Sequence, residues 1–350
     1  MTLFFACLIL SPLEIQGSGF HAESHVLLQR WDSQQLAYTN FLESDIHDGT
    51  FLLQPPWDGP NLFRLRIGKR QTVLAIDEPG RVQITESESK IQVSGSKNTD
   101  QLQDFYRRLG ELNQLHFASL KQRADAVLEQ GDSEELTAML AERDAQLEAF
   151  WPELFAAIRQ LGATPAGFAA MQVLDFNKQV DFIRERALLF QAELPGNPLT
   201  ISLTLQLAKV AATEPGKKVS DFVLADANGQ KYRPINFAGN VFLLDFWASW
   251  CPSCRAELPG LKILYQTYHP QGFEILGVAT QDQQEAWQKA LKRDSMPWPN
   301  VFDNENQVGE AYGAQQLPTQ YLIDRNGVIL ARNPSAQELT AWLKKLYPAL

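Results

Sequence analysis

The chain has 350 residues, more than one ordinary domain of roughly 100–200, so two or three compact units are expected. Hydrophobic residues make up 45% and charged residues 21%, close to globular averages, which excludes wholesale disorder and a polytopic membrane protein. A formal charge of −10 and the absence of any Lys/Arg run exclude nucleic acid as a partner, because phosphate backbones demand basic clusters.

Residues 3–13 form an apolar run too short to span a bilayer, which needs about 20 residues, but suited to the apolar region of a secretory signal. Small residues follow at Gly17, Ser18, Gly19 and Ala22, so residues 1–22 are expected to be a signal peptide, although no basic residue precedes the run. The alternative is a buried strand or helix that opens the first domain. Cys7 lies inside this segment, and Phe4-Phe5-Ala6 before it makes a poor lipoprotein signal. Once residues 1–22 are removed, Cys251 and Cys254 are the two cysteines left.

Residues 23–96 read as a β-rich domain. "HVLLQRW", "QLAYTNFL", "TFLLQPP", "LFRLRI", "TVLAI", "RVQIT" and "KIQVSG" are short runs rich in Val, Ile, Leu, Phe and Thr, divided by Asp48-Gly49, Asp58-Gly59-Pro60, Gly68 and Pro79-Gly80. Seven short strands at this spacing predict a small, antiparallel, sandwich-like all-β fold or a barrel. Across residues 97–212 the period becomes helical, with Leu102, Phe105, Leu109 and Leu112 recurring every three or four positions. Thr164-Pro165 supplies an N-cap followed by a first-turn proline.

Residues 213–350 change character again. Two short runs around Ala227-Asn228-Gly229 predict a hairpin. "NVFLLDFWASW" is a continuous apolar run suited to a buried central strand. After it come a helix from Pro252 to about Tyr268, the strand "FEILGVAT", a helix over about 283–292 and a short helical piece ending near Gly313. The strands "TQYLID" and "VILAR", joined by Arg325-Asn326-Gly327, precede a last helix over about 336–346. Alternating strands and helices closed by a hairpin predict an α/β unit with a mixed sheet.

The chemistry concentrates at "WASWCPSCRAE", where the apolar strand turns into a helix. A disulfide between residues three apart closes almost no loop, so this spacing suits chemistry better than stapling. At a helix start, unpaired N–H groups and the helix dipole favour a thiolate, the attacking species in disulfide exchange. Cys251 is therefore the candidate nucleophile. Cys254, one turn on, is placed to resolve a mixed disulfide and is expected to be the more buried of the two. Asp245, in the middle of "FLLDFWA", is a carboxylate that burial would penalise unless it has a task or a partner. It is a candidate acceptor and donor for the proton of Cys254; the alternative is a buried acid bonded to backbone or Lys.

"FLLDFWASWCPSCRAELPGL", "QQLPTQYLIDRNGVILAR" and the earlier "SDFVLADANGQ" resemble a thioredoxin-fold thiol-disulfide oxidoreductase of the TlpA/ResA type. The resemblance covers about residues 213–350, whereas residues 25–200 resemble the uncharacterised β-rich and helical segments that precede such modules. It implies Cys251 as attacking thiol, Cys254 as resolving thiol, Pro318 as a cis proline and Trp250 as the aromatic beside the site. Asp245 matches the buried acid of thioredoxin, where many TlpA-like chains carry Asn. A cis Pro318 would present the Leu317 main chain to an incoming peptide. Trp250, Pro252, Ser253, Leu317 and Pro318 are the expected substrate-facing residues.

Two departures stand out. The usual second intervening residue is proline, and here Pro252-Ser253 places proline first, which leaves the direction of electron transfer open. "GVATQDQQ" replaces Val-Ser-x-Asp, a change expected to matter little to the chemistry.

By family analogy the protein is an exported reductase of protein disulfides, in the periplasm or cell envelope with or without a membrane tether. It is linked to cytochrome c maturation or to general envelope redox homeostasis. No nucleotide or flavin fingerprint is present, so the expected redox group is the Cys251–Cys254 pair itself, with no other cofactor and no metal, fed by a membrane electron donor. The alternatives are a disulfide oxidase or isomerase, a binding protein in which the N-terminal half dominates, and half a zinc site. The last needs two more ligands, and only His269 lies at a plausible distance.

Overall fold

A computed structural model describes residues 12–87, 90–130, 133–176, 178–314 and 316–348. The expected signal residues 1–11, with Cys7, lie outside the described residues. The chain divides into two compact units, Met1–Leu174 with Asp181–Thr204, and Asp175–Val180 with Leu205–Leu350.

The first unit opens with eight strands: β1 (Glu14–Ser18), β2 (His25–Asp32), β3 (Ala37–Asp45), β4 (Thr50–Leu53), β5 (Asn61–Ile67), β6 (Arg70–Ile76), β7 (Arg81–Ser87) and β8 (Lys90–Ser94). They form two four-stranded sheets, β4-β1-β7-β8 and β3-β2-β5-β6. Inward residues of both, among them Ile15, Ile84, Val26, Leu65 and Leu74, make one apolar core, so the sheets face each other as a sandwich. Alternation is clear in β5, where Phe63, Leu65 and Ile67 are buried while Arg64 and Arg66 turn outward.

β1 corrects the expected boundary. Residues assigned to a removable segment form a strand antiparallel to β4 and parallel to β7, with Ile15 fully buried. Cleavage after residue 22 would leave β4 and β7 without the strand they share, so the folded domain begins before Glu14 and not at residue 23.

The helices α1 (Lys97–Gln130), α2 (Ser133–Gln160), α3 (Pro165–Met171), α4 (Val180–Glu193) and α5 (Pro198–Ala212) do not form a domain of their own. α1 starts where Ser96 Oγ accepts the Thr99 N–H and donates to the Ala75 carbonyl at the end of β6. Thr164 caps α3, its Oγ1 accepting the Gly167 N–H at 3.1 Å, with Pro165 in the first turn. Trp31 of β2 packs edge-on against Phe168 of α3 and donates its indole N–H to Ser202 Oγ of α5 at 2.9 Å. Strands and helices up to Thr204 therefore share one unit. Among the described residues, no helix is long and apolar enough to cross a membrane.

The second unit contains β9 (Leu224–Asp226), β10 (Lys231–Tyr232), β11 (Val241–Trp247), α6 (Pro252–Tyr268), β12 (Phe273–Ala279), α7 (Gln284–Asp294), β13 (Asn300–Phe302), α8 (Gln307–Ala311), β14 (Thr319–Ile323), β15 (Ile329–Arg332) and α9 (Ala336–Leu346). The mixed sheet runs β10-β9-β13-β12-β11-β14-β15, with β11 parallel to β12 and antiparallel to β14. The β9–β10 hairpin turns at Gly229, whose φ of +83° is open to glycine at little cost. β13 escapes sequence reading because it is three residues long and follows Pro299 directly.

All seven residues of β11 are buried, as a central strand covered on both faces requires. Phe242, Leu244 and Phe246 pack on one face. Val241 and Leu243 meet Leu258, Leu261 and Tyr265 of α6 on the other, and Trp247 joins a cluster with Cys251 and Cys254. The two-residue period therefore places Asp245 on the α6 face, between those two clusters.

Candidate active site

Cys251 is the N-cap of α6. Its Sγ accepts the Cys254 N–H at 3.2 Å, and Pro252 takes the first helical position, where a missing N–H costs nothing. The two cysteines are joined in a disulfide. The Cys254 N–H and the start of the helix both face the Cys251 sulfur, an arrangement that favours negative charge there once the bond is reduced. The expected difference in burial is absent: Cys251 is 2% exposed and Cys254 5%. The Cys251 sulfur folds back over the helix start, with Ser253 Oγ 3.4 Å away, and is thereby as enclosed as its partner.

The Leu317–Pro318 peptide bond is cis, and the turn it makes lies against the disulfide. Leu317 packs on the cluster that holds both cysteines, and Ser253 Oγ donates to the Leu317 carbonyl at 3.4 Å. Trp250 is 57% exposed beside Cys251, with its indole N–H fixed on the Gln281 carbonyl at 2.8 Å. The predicted residues Cys251, Cys254, Trp250, Pro252, Ser253, Leu317 and Pro318 thus meet at one end of the sheet.

The segment "GVATQDQQ" does more here than its sequence suggests. Asp282 accepts the Ser249 N–H at 2.6 Å and the Ser249 hydroxyl at 2.8 Å, tying down the loop that delivers Trp250 and Cys251. Gln281 has a φ of +54° and is held by Asn306 Oδ1, which accepts its N–H, while its side chain donates to the Ala314 carbonyl. The departure from the family pattern therefore falls on residues that position the site.

Asp245 is 4% exposed. Burial, aided by the like charge of Glu257, pushes its carboxyl up from 3.8 to about 7, against a bond from Gln320 that favours the ionised form. Gln320 Nε2 donates to Asp245 Oδ1 at 3.0 Å and to Glu257 Oε2 at 3.0 Å. Neither Gln320 nor Glu257 was singled out from sequence. The signals were a polar residue in the apolar strand "TQYLI" and a carboxylate one helical turn after Cys254. Across the sheet from Asp245 on β12 stands Gly277, where a Cβ would lie 2.1 Å from Asn300 Oδ1, the acceptor of the Trp247 indole N–H.

The zinc alternative fails on placement. His269 caps the far end of α6, about 25 Å along the helix from Cys251, stacked on Tyr265 and facing Glu274.

Fold and site together define a thioredoxin-like oxidoreductase domain: a mixed sheet flanked by helices, a disulfide at the start of a helix, and a cis proline against it. The AhpC/TSA family profile matches residues 215–332. The thiol-disulfide oxidoreductase ResA of Bacillus cereus (strain ATCC 10987 / NRS 248) is 30% identical over 144 residues, 40% of this chain and 83% of that protein. ResA of Geobacillus thermodenitrificans (strain NG80-2) is 39% identical over 114 residues, 33% of this chain; the match spans 66% of that relative's length. A solved structure of a putative thiol:disulfide interchange protein DsbE from Chlorobium tepidum is 30% identical, with a TM-score of 0.36, covering 38% of this chain and 96% of that one. The chain belongs to the ResA-like thiol-disulfide oxidoreductases.

Proposed function

We propose that the protein is exported and reduces disulfides in protein substrates through Cys251 and Cys254. One observation carries this reading: Cys251 caps α6 with its sulfur on the Cys254 N–H, against the cis Leu317–Pro318 turn.

In the reduced protein the Cys251 thiolate attacks one sulfur of the substrate disulfide. The substrate S–S bond breaks, and the departing thiolate takes a proton from water. Cys254 then gives its proton to Asp245 and attacks the Cys251 sulfur. The mixed disulfide breaks, the Cys251–Cys254 bond forms, and the second substrate sulfur leaves as a thiolate that is protonated in turn. Two electrons pass from the dithiol to the substrate. The Leu317 main chain, Trp250, Pro252 and Ser253 form the surface that receives the peptide. Reduction of the Cys251–Cys254 bond for the next cycle falls to a membrane electron donor. The work is of the cytochrome c maturation type or general redox homeostasis, in the periplasm or cell envelope.

In Cys254→Ala the resolving thiol is missing, so Cys251 is expected to accumulate as a mixed disulfide with its substrate. Non-reducing electrophoresis and mass spectrometry read the adduct, and recovery of none beyond the Cys251→Ser/Cys254→Ala double variant would overturn the reading. The direction of transfer is tested by the reduction potential of the pair. A reductase is expected near the thioredoxin end of the family range, about −270 mV, and a value near about −120 mV would make the protein an oxidant instead.

A further inference from the structure

Gln320 stands directly opposite Asp245 in the antiparallel β11–β14 pairing, so both side chains leave the sheet on the α6 face. Asp245 and Gln320 are 4% and 5% exposed, whereas Glu257 is exposed on the first turns of α6. A primary amide has two N–H donors, and here one nitrogen lies 3.0 Å from each of two carboxylates. The opposite amide orientation would set a carbonyl oxygen against both acids, so the network itself assigns the nitrogen. Asn333 fixes the backbone of Gln320 on both sides: its Oδ1 accepts the Gln320 N–H and its own N–H donates to the Gln320 carbonyl, each at 2.7 Å.

We propose that Gln320 is a positioning residue that couples buried Asp245 to solvent-facing Glu257, so that the proton affinity of the buried acid answers to the exposed one. The proposal rests on the reading of Asp245 as the group that takes the Cys254 proton. From the elements packed against Asp245, α6 presents Glu257, β14 presents Gln320 and β12 presents Gly277. Glu257 is the like charge among them, and it raises Asp245, whereas the Gln320 bond lowers it. Gln320 thus sets the acid against two opposed influences, and removing either influence moves it in a known direction.

The test is the pH dependence of mixed-disulfide resolution in the full-length protein, followed by rapid quench. In the wild type the rate rises with pH as Asp245 ionises and becomes able to accept a proton. Gln320→Leu removes both donors and is expected to move the midpoint up by about half a pH unit or more, about a threefold slowing on the acid limb. Glu257→Gln removes the like charge and moves the midpoint down. In the double variant the two shifts are expected to add only in part, because Glu257 acts on Asp245 both as a like charge through space and through the shared amide. Gln320→Asn, too short to span the acids, behaves like Gln320→Leu.

A purely structural role for Gln320 would lower thermal stability and leave the midpoint in place. That result, in folded Gln320→Leu and Gln320→Asn, overturns the proposal. Asp245→Asn separates the two readings. If the limb persists in that variant, the assignment of Asp245 falls and the coupling with it. If the limb disappears there yet stays put in Gln320→Leu and Glu257→Gln, the coupling alone falls.

Discussion

Cys251→Ser is expected to lose disulfide reduction, by on the order of 10³-fold or more in kcat/KM, because an alcohol is not ionised near neutral pH and is a poor nucleophile toward sulfur. The substitution isolates chemistry from folding. Serine is a favoured N-cap, so its oxygen can accept the Cys254 N–H that the sulfur accepts now, and the start of α6 is retained. Cys251→Ala removes cap and nucleophile together and is expected to cost about 1 kcal/mol more in stability than the serine variant. The measurement is turnover on a disulfide-containing peptide with dithiothreitol as donor, alongside circular dichroism. Cys251→Ser that keeps a tenth of wild-type turnover while Cys254→Ser loses it would exchange the roles of the two thiols.

Asp245→Asn is expected to make the protein more stable and slower. The folded carboxyl is pushed up from 3.8 to about 7. The folded state therefore holds a proton that the unfolded chain releases between about pH 4 and pH 7, and stability falls as pH rises through that window. Below about pH 4 both states are protonated and the acid costs nothing. Above about pH 7 the full penalty for an ionised buried carboxylate applies. The shift corresponds to about 4 kcal/mol, and relaxation around the charge reduces the recoverable part to about 2–4 kcal/mol. Asparagine fills nearly the same volume and still accepts from Gln320. Hydrogen exchange of the β11 amides should therefore show added protection of this size at pH 8 and only about a quarter of it at pH 4.5. Equal protection at both values would show that the Asp245 carboxyl is not raised in the folded state. Resolution by Cys254 is expected to slow in the same variant, since the proton acceptor is gone, so the site keeps an acid that lowers its stability.

The C-terminal unit was largely legible because each local signal has a strong physical cause. Asn228-Gly229 needs a left-handed turn, "FLLDFW" can be stable only where both faces are covered, and Pro252 belongs in a first turn. These set the hairpin, the central strand and the helix start where the structure has them. The N-terminal boundary was misread because Gly17, Ser18 and Gly19 suit a cleavage site and the end of a strand equally well. Ile15 is buried by residues tens of positions away, and only pairing with β4 and β7 distinguishes the two cases. The helices after Gly95 likewise read as a separate region, since the bond from Trp31 to Ser202 spans a separation that no periodicity encodes.

The sequence by itself determined the placing of the pair: two cysteines one helical turn apart at a strand-to-helix junction, the first at the helix cap. That follows from local geometry, which neighbouring residues decide. Only the tertiary structure decided what surrounds the pair. Strand register sets Gln320 opposite Asp245, the helix returns Glu257 to the same amide, and the loop after β12 brings Asp282 and the Gln281 carbonyl to Ser249 and Trp250. These contacts join residues 31 to 75 positions apart, and chain separation of that size leaves no local trace.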